Sequence, residues 1–123
     1  LCTQYKSKLL VEANGVGDPV YEMIRKKYRN TEAFITSNQS KENIIRRLIS
    51  DIADSALELP SPNLFQPLYK ELQMFQYKYL PSGKVQYAAM SGAHDDTVMS
   101  LAICNWNRIQ NPTSKKLIIT SLR

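Results

Sequence analysis

Three groups of residues have types and spacings that could do chemistry. Glu12 lies in the run Lys8-Leu9-Leu10-Val11-Glu12-Ala13, an otherwise apolar segment that ends at Asn14-Gly15-Val16-Gly17. A lone charge in such a strand is costly to bury, so Glu12 needs a partner, a metal ion or a place at the strand's solvent end. Strand ends beside turns are where α/β folds gather ligands. The second group is Asp95-Asp96, preceded by Ser91-Gly92-Ala93-His94 and followed by an apolar helical pattern. Structurally, one aspartate is an N-cap and the other complements the helix dipole. Functionally, two adjacent carboxylates suit a hard divalent cation such as Mg²⁺ or Mn²⁺. The third group, the glycine turn at 14–17, is only a weak phosphate-loop mimic. It lacks the Lys-Ser/Thr of a P-loop, and a turn that needs positive φ explains it equally well.

Glu12 and the aspartate pair together would make a carboxylate-rich metal site, assembled from a strand end and a helix start. Such a site under a basic surface points to phosphodiester cleavage, in which two metals activate water and stabilise the leaving oxygen. The surface is basic: sixteen Lys and Arg stand against eleven Asp and Glu, a net charge of +5 and a pI near 9.3. That balance favours an anionic partner. Lys26, Lys27, Arg46 and Arg47 could contact phosphates, although solvated helix faces account for them as well. Cys2 and Cys104 lie far apart in sequence, with His94 the single histidine, so a zinc site is not expected. Cys104 is expected to pack as a buried thiol on a helix.

The elements that must position these groups follow from hydrophobic period and punctuation. A strand over Lys8–Ala13 and a glycine turn lead into a helix capped by Asp18, with Pro19 in its first turn. Ala33–Thr36 is a second short strand. The clearest helix is expected to be capped by Ser40, with Ile44, Ile45, Leu48, Ile49, Ile52, Ala53 and Ala56 in one apolar stripe and Arg46, Arg47, Asp51 and Asp54 facing elsewhere. Leu57-Glu58-Leu59 reads as a brief strand before a proline-punctuated loop, and Leu68 to Leu72 as helical. From Met74 the period changes to two, with Phe75, Tyr77 and Tyr79 alternating with Gln76 and Lys78, and after Pro81-Ser82-Gly83-Lys84 it resumes at Val85, which is a β-hairpin. The helix opened by His94-Asp95-Asp96-Thr97 runs to Asn111-Pro112, and Leu117-Ile118-Ile119 is a further strand candidate. The 123 residues suit one domain, and no apolar run approaches the 20 or so residues of a membrane span. Leu1 is not a methionine and no signal peptide opens the chain, so a piece of a longer chain is expected.

At this point the residues resemble a family. Val11-Glu12-Ala13-Asn14-Gly15-Val16-Gly17, then the hairpin with Tyr79-Leu80-Pro81-Ser82-Gly83-Lys84-Val85-Gln86-Tyr87, then Ser91 to Ala102 containing His94-Asp95-Asp96, are similar to the C-terminal nuclease domain of tailed-bacteriophage large terminase subunits. The resemblance extends to about Gln110. It implies an α/β, ribonuclease H-like fold, a mixed sheet flanked by helices that lacks its first strands, over 1–110, with a tail at 111–123. It also implies a nuclease that cuts concatemeric viral DNA during genome packaging, using two Mg²⁺ or Mn²⁺ ions. Glu12 matches the family's second catalytic carboxylate and Asp95 or Asp96 its third. The first, an aspartate on the opening strand, has no counterpart, since residues 1–11 contain no carboxylate. The family's ATPase motor is absent too, with no Walker sequence here. This piece alone is therefore expected to cut weakly.

The partners implied are double-stranded DNA and the other terminase and portal components, in the cytoplasm of an infected bacterium, with no membrane. Two rivals remain at the level of sequence. One is a non-catalytic nucleic-acid-binding or assembly module in which Glu12 and Asp95 are structural caps; the other is a different ribonuclease H-like nuclease, such as a resolvase.

Overall fold

A strand, a helix and a second strand open the chain, and they set the site's geometry. In the computed structural model, which describes residues 2–14 and 18–112, a single helical turn α1 (Cys2–Tyr5) precedes β1 (Leu9–Glu12), α2 (Pro19–Lys27) and β2 (Thr31–Phe34). β1 and β2 pair in parallel, Leu9 opposite Thr31 and Glu12 opposite Phe34, with α2 as the crossover. Asp18 caps α2 as its sequence predicts, accepting from the Val20 and Tyr21 N–H groups at 2.9 and 3.2 Å. The second strand begins two residues before the expected segment and ends at Phe34. The residues after it are drawn off toward the next helix, as the Ser40 hydroxyl bonds the Ile35 carbonyl. The glycines of the turn, 15–17, lie outside the described residues, as does the strand candidate at 117–119.

α3 (Asn38–Ala53) is the long central helix. Ser37, rather than Ser40, is its N-cap: the Ser40 N–H donates to Ser37 Oγ at 3.1 Å, and the Ser37 N–H donates to Ser40 Oγ at 2.8 Å. Ser40 thus fills the third position of a capping box, a role usually held by Glu or Gln. α4 (Gln66–Met74) runs directly into β3 (Phe75–Tyr79), which pairs antiparallel with β4 (Val85–Ala89), Tyr77 opposite Tyr87. The hairpin turn closes through the Gly83 N–H on the Leu80 carbonyl at 2.9 Å, and Gly83 holds φ at +76°, a value that favours glycine. α5 (Asp96–Gln110) is the last of the described helices.

The core is helical. Ile44, Ile45 and Leu48 of α3, Leu68 of α4, and Val98, Met99, Ala102 and Ile103 of α5 form one buried cluster, flanked by Leu10, Phe34, Phe75 and Tyr87 from the strands. Three details depart from expectation. The α3 stripe is only half covered, with Ile49 54% exposed. Asp51, expected to face outward, is buried, because Asn105, Arg47 and Arg108 satisfy its carboxylate inside the helix interface. Cys104 is exposed rather than packed, since Ile103 and Asn105 take the inward positions on that turn of α5. Leu57–Leu59 forms no strand; beyond the Asp54 C-cap of α3 comes a positive-φ residue, Ser55, and the Ala56 and Leu57 N–H groups both donate to the Asp51 carbonyl.

Candidate metal and nucleic-acid site

Glu12 ends β1 with an exposed side chain, so it avoids the desolvation cost its sequence context raised. Its carboxylate accepts a short hydrogen bond from the Thr36 hydroxyl. Thr36 immediately precedes the Ser37 cap, which ties Glu12 to the start of α3.

Asp95 reaches the same end of α3 through Lys41. It occupies the N-cap position of α5, yet its side chain makes no capping bond. Instead the Lys41 ammonium donates to Asp95 Oδ2 at 2.7 Å, in an ion pair whose side chains are only 20% and 26% exposed. Lys41 also lies 5.8 Å from the centre of the Phe75 ring. Glu12 and Asp95 are therefore both joined to residues 36–41, the cap and opening turn of α3. The far end of β1 is fixed at the other end of α5, where Asn107 donates to the Lys8 carbonyl at 2.8 Å and Lys8 Nζ to Asn111 at 3.2 Å. Asp96 is exposed in the first turn of α5, and His94 is exposed before it.

Glu71 performs the capping that the sequence assigned to an aspartate. Its Oε2 accepts from the Thr97 N–H at 2.7 Å, the Thr97 hydroxyl at 2.5 Å and the Val98 N–H at 3.3 Å. Desolvation and the negative charge of Asp95 would raise its carboxyl pKa, but the Thr97 and Val98 donors outweigh them and hold it below the usual range. Sequence reasoning missed both Glu71 and Lys41. A cap supplied from 26 residues away, and a lysine in a helix turn 54 residues from its aspartate, leave no local signature. Asp95 is thereby released from capping, and its Oδ2 pairs with the Lys41 ammonium instead.

Among the described residues, no three His, Cys, Asp or Glu side chains are grouped closely enough to hold a metal ion. Glu12, Asp95 and Asp96 are therefore not gathered into one ligand cluster; Glu12 and Asp95 are linked only through their partners Thr36 and Lys41 at the start of α3.

Two solved structures share this arrangement of elements. Both are the large terminase nuclease from thermophilic phage G20c, one with bound cobalt and one with bound magnesium; each is 30% identical over 76% of this chain, with a TM-score of 0.62. The chain is a terminase-nuclease-like domain. Its mixed α/β architecture is the ribonuclease H-like class that the resemblance implied. This terminase-nuclease-like chain spans half the length of the two nuclease structures. No protein-family model matches it, nor does any curated protein. No helix among its described residues is long and apolar enough to cross a membrane.

Proposed function

We propose that this chain is part of a metal-dependent endonuclease that cuts concatemeric double-stranded DNA during phage genome packaging, alongside other terminase and portal components in the cytoplasm of the infected bacterium. The observation that carries the reading is the convergence of Glu12 and Asp95 on residues 36–41, in a fold whose nuclease neighbours are solved with bound magnesium and cobalt. Glu12, Asp95 and Asp96 are the residues that would hold Mg²⁺ or Mn²⁺. The Lys41 ammonium already neutralises Asp95, so a divalent ion at that carboxylate would have to take the place of this ion pair. When bound, divalent ions supply charge neutralisation at the phosphate and a water of lowered pKa. Thr36 fixes the orientation of Glu12, and Glu71 frees Asp95 from capping. Two carboxylate positions hold a pair of mutually repelling cations weakly, so this chain by itself should cut DNA near background.

The Lys41–Asp95 ion pair also favours a second reading, a non-catalytic nucleic-acid-binding module in which Asp95 serves only structure. Titration with Mn²⁺, read by paramagnetic broadening of assigned amide signals, separates the two. The nuclease reading expects broadening centred on residues 12, 95 and 96 that Glu12→Ala and Asp95→Asn each weaken. Broadening elsewhere, or none at millimolar Mn²⁺, leaves the module.

A further inference from the structure

A second charged cluster lies on the α3–α5 interface, away from Glu12 and Asp95. Asp51 is 3% exposed and Asn105 is 3% exposed. Asn105 Nδ2 donates to Asp51 Oδ2 at 2.7 Å, while Asn105 Oδ1 accepts from Arg108 Nε at 3.1 Å and Arg108 Nη2 at 2.9 Å. Arg47 Nε meets both Asp51 oxygens, at 3.0 and 3.1 Å, and Arg108 Nη2 reaches Oδ2 at 3.4 Å. Two buried side chains thus fix the guanidinium groups of two arginines whose side chains are 48% and 50% exposed.

Compensation of Asp51 does not require both arginines. A buried carboxylate needs one good cationic partner and hydrogen bonds to its remaining lone pairs, which Arg47 and Asn105 supply. Arg108 touches Asp51 only at 3.4 Å and is held mainly by the neutral Asn105. The cluster therefore carries one surplus positive charge, and Arg47 meets Asp51 through its Nε alone, which leaves its two terminal NH₂ groups for other partners. Planar guanidinium groups held in place and partly desolvated suit the two-oxygen face of a phosphodiester.

We propose that Arg47 and Arg108 form a phosphate-binding fork for a nucleic-acid backbone, aimed by Asp51 and Asn105. The proposal rests on the nucleic-acid reading above. Its position follows from helix register: Lys41–Asp95 and Asp51–Asn105 each join residues 54 apart, so α3 and α5 run parallel in step. Ten residues of helix at 1.5 Å each separate the fork from Asp95 by about 15 Å. At 3.4 Å per nucleotide along a strand, that is about four nucleotide steps from the candidate metal end.

The test measures binding of a short fluorescent DNA duplex to the whole chain in EDTA, as a function of salt. Every phosphate that the protein ceases to neutralise lowers the slope of log K against log salt by about 0.9. Arg47→Gln and Arg108→Gln are each expected to lower it by about that amount and the double variant by about twice as much. Arg108→Lys keeps the charge but loses the planar fork, and should recover only part of the affinity. If a variant fails to fold, the unmodified chain answers: the duplex should protect Arg47 and Arg108 from phenylglyoxal while Arg29 on the α2 side stays reactive. Absence of DNA binding, unchanged slopes in folded variants, or equal modification with and without duplex overturns the proposal. Protection by inorganic phosphate at the same low concentration also overturns it, because the ligand is then a small anion. Because EDTA removes divalent ions, an intact slope alongside failed Mn²⁺ binding sinks the nuclease reading alone.

Discussion

Glu71 shows how much a single side chain can decide. It gives three hydrogen bonds' worth of acceptance to the first turn of α5, where orphan N–H groups would otherwise meet a half-buried surface. Glu71→Ala should lower unfolding free energy by about 1 kcal/mol, as loss of an N-cap does, with the denaturant midpoint as the measure. The pH dependence has a definite sign. Glu71 and Asp51 both lie below the ordinary carboxylate range in the folded chain, so the unfolded chain binds protons more readily. Their stabilisation is complete above the unfolded values near 4 and drains away as pH falls through the lower folded ones. Melting temperature should therefore stay level near neutrality and drop below about pH 4, and the drop should be shallower in Glu71→Gln. A level profile down to pH 3 in the unaltered chain would remove both carboxylates from that role. Neither residue was legible from sequence: Glu12, Asp95 and Asp96 drew attention by local context, whereas Glu71 and Asp51 acquire meaning only from α5, 26 and 54 residues further on.

At the scale of elements, α3 is both the centre of the core and the bracket for the site. Its cap, Ser37, adjoins Thr36, and Lys41 lies on its opening turn. Ser37→Ala should cost about 1 kcal/mol and fray that turn, so Mn²⁺ binding should weaken without any change to a carboxylate. Equal Mn²⁺ affinity in that variant would mean the site is organised by β1 and α5 alone. Leu48→Ala, by contrast, empties a buried position and should cost about 2–5 kcal/mol in chemical unfolding, with little effect on metal affinity while the chain stays folded. Period and punctuation revealed the strand–helix–strand opening, the hairpin and α5, since each is written in a few consecutive residues. They failed at Ser40 and at Leu57–Leu59. Two serines three apart look alike until their hydrogen bonds are known, and an apolar triplet becomes a strand only if a partner strand meets it.

At the scale of the whole molecule, the described residues leave apolar surface and sheet edges open. Among the described residues β1 pairs only with β2 and β3 only with β4, so each sheet has two strands. Ile49 and Ile52 on α3, Val20 and Met23 on α2, and Tyr77 and Tyr79 on the hairpin are exposed. Two-stranded sheets are marginal by themselves, and an unpaired edge is a template for another chain. Self-association is the expected result, and its salt dependence distinguishes it from DNA binding. Backbone pairing and apolar contact persist or strengthen as ionic strength rises, whereas attachment of a +5 chain to phosphates weakens steeply. Sedimentation velocity should thus show association that grows with protein concentration and survives high salt, and Ile49→Lys should reduce it by placing a charge on the α3 face. A sedimentation coefficient that stays monomeric across concentrations would mean that side chains already guard these edges. Association that dissolves in salt would instead trace it to the charged faces of α2 and α3, where Arg25, Lys26, Arg46 and Glu42 lie.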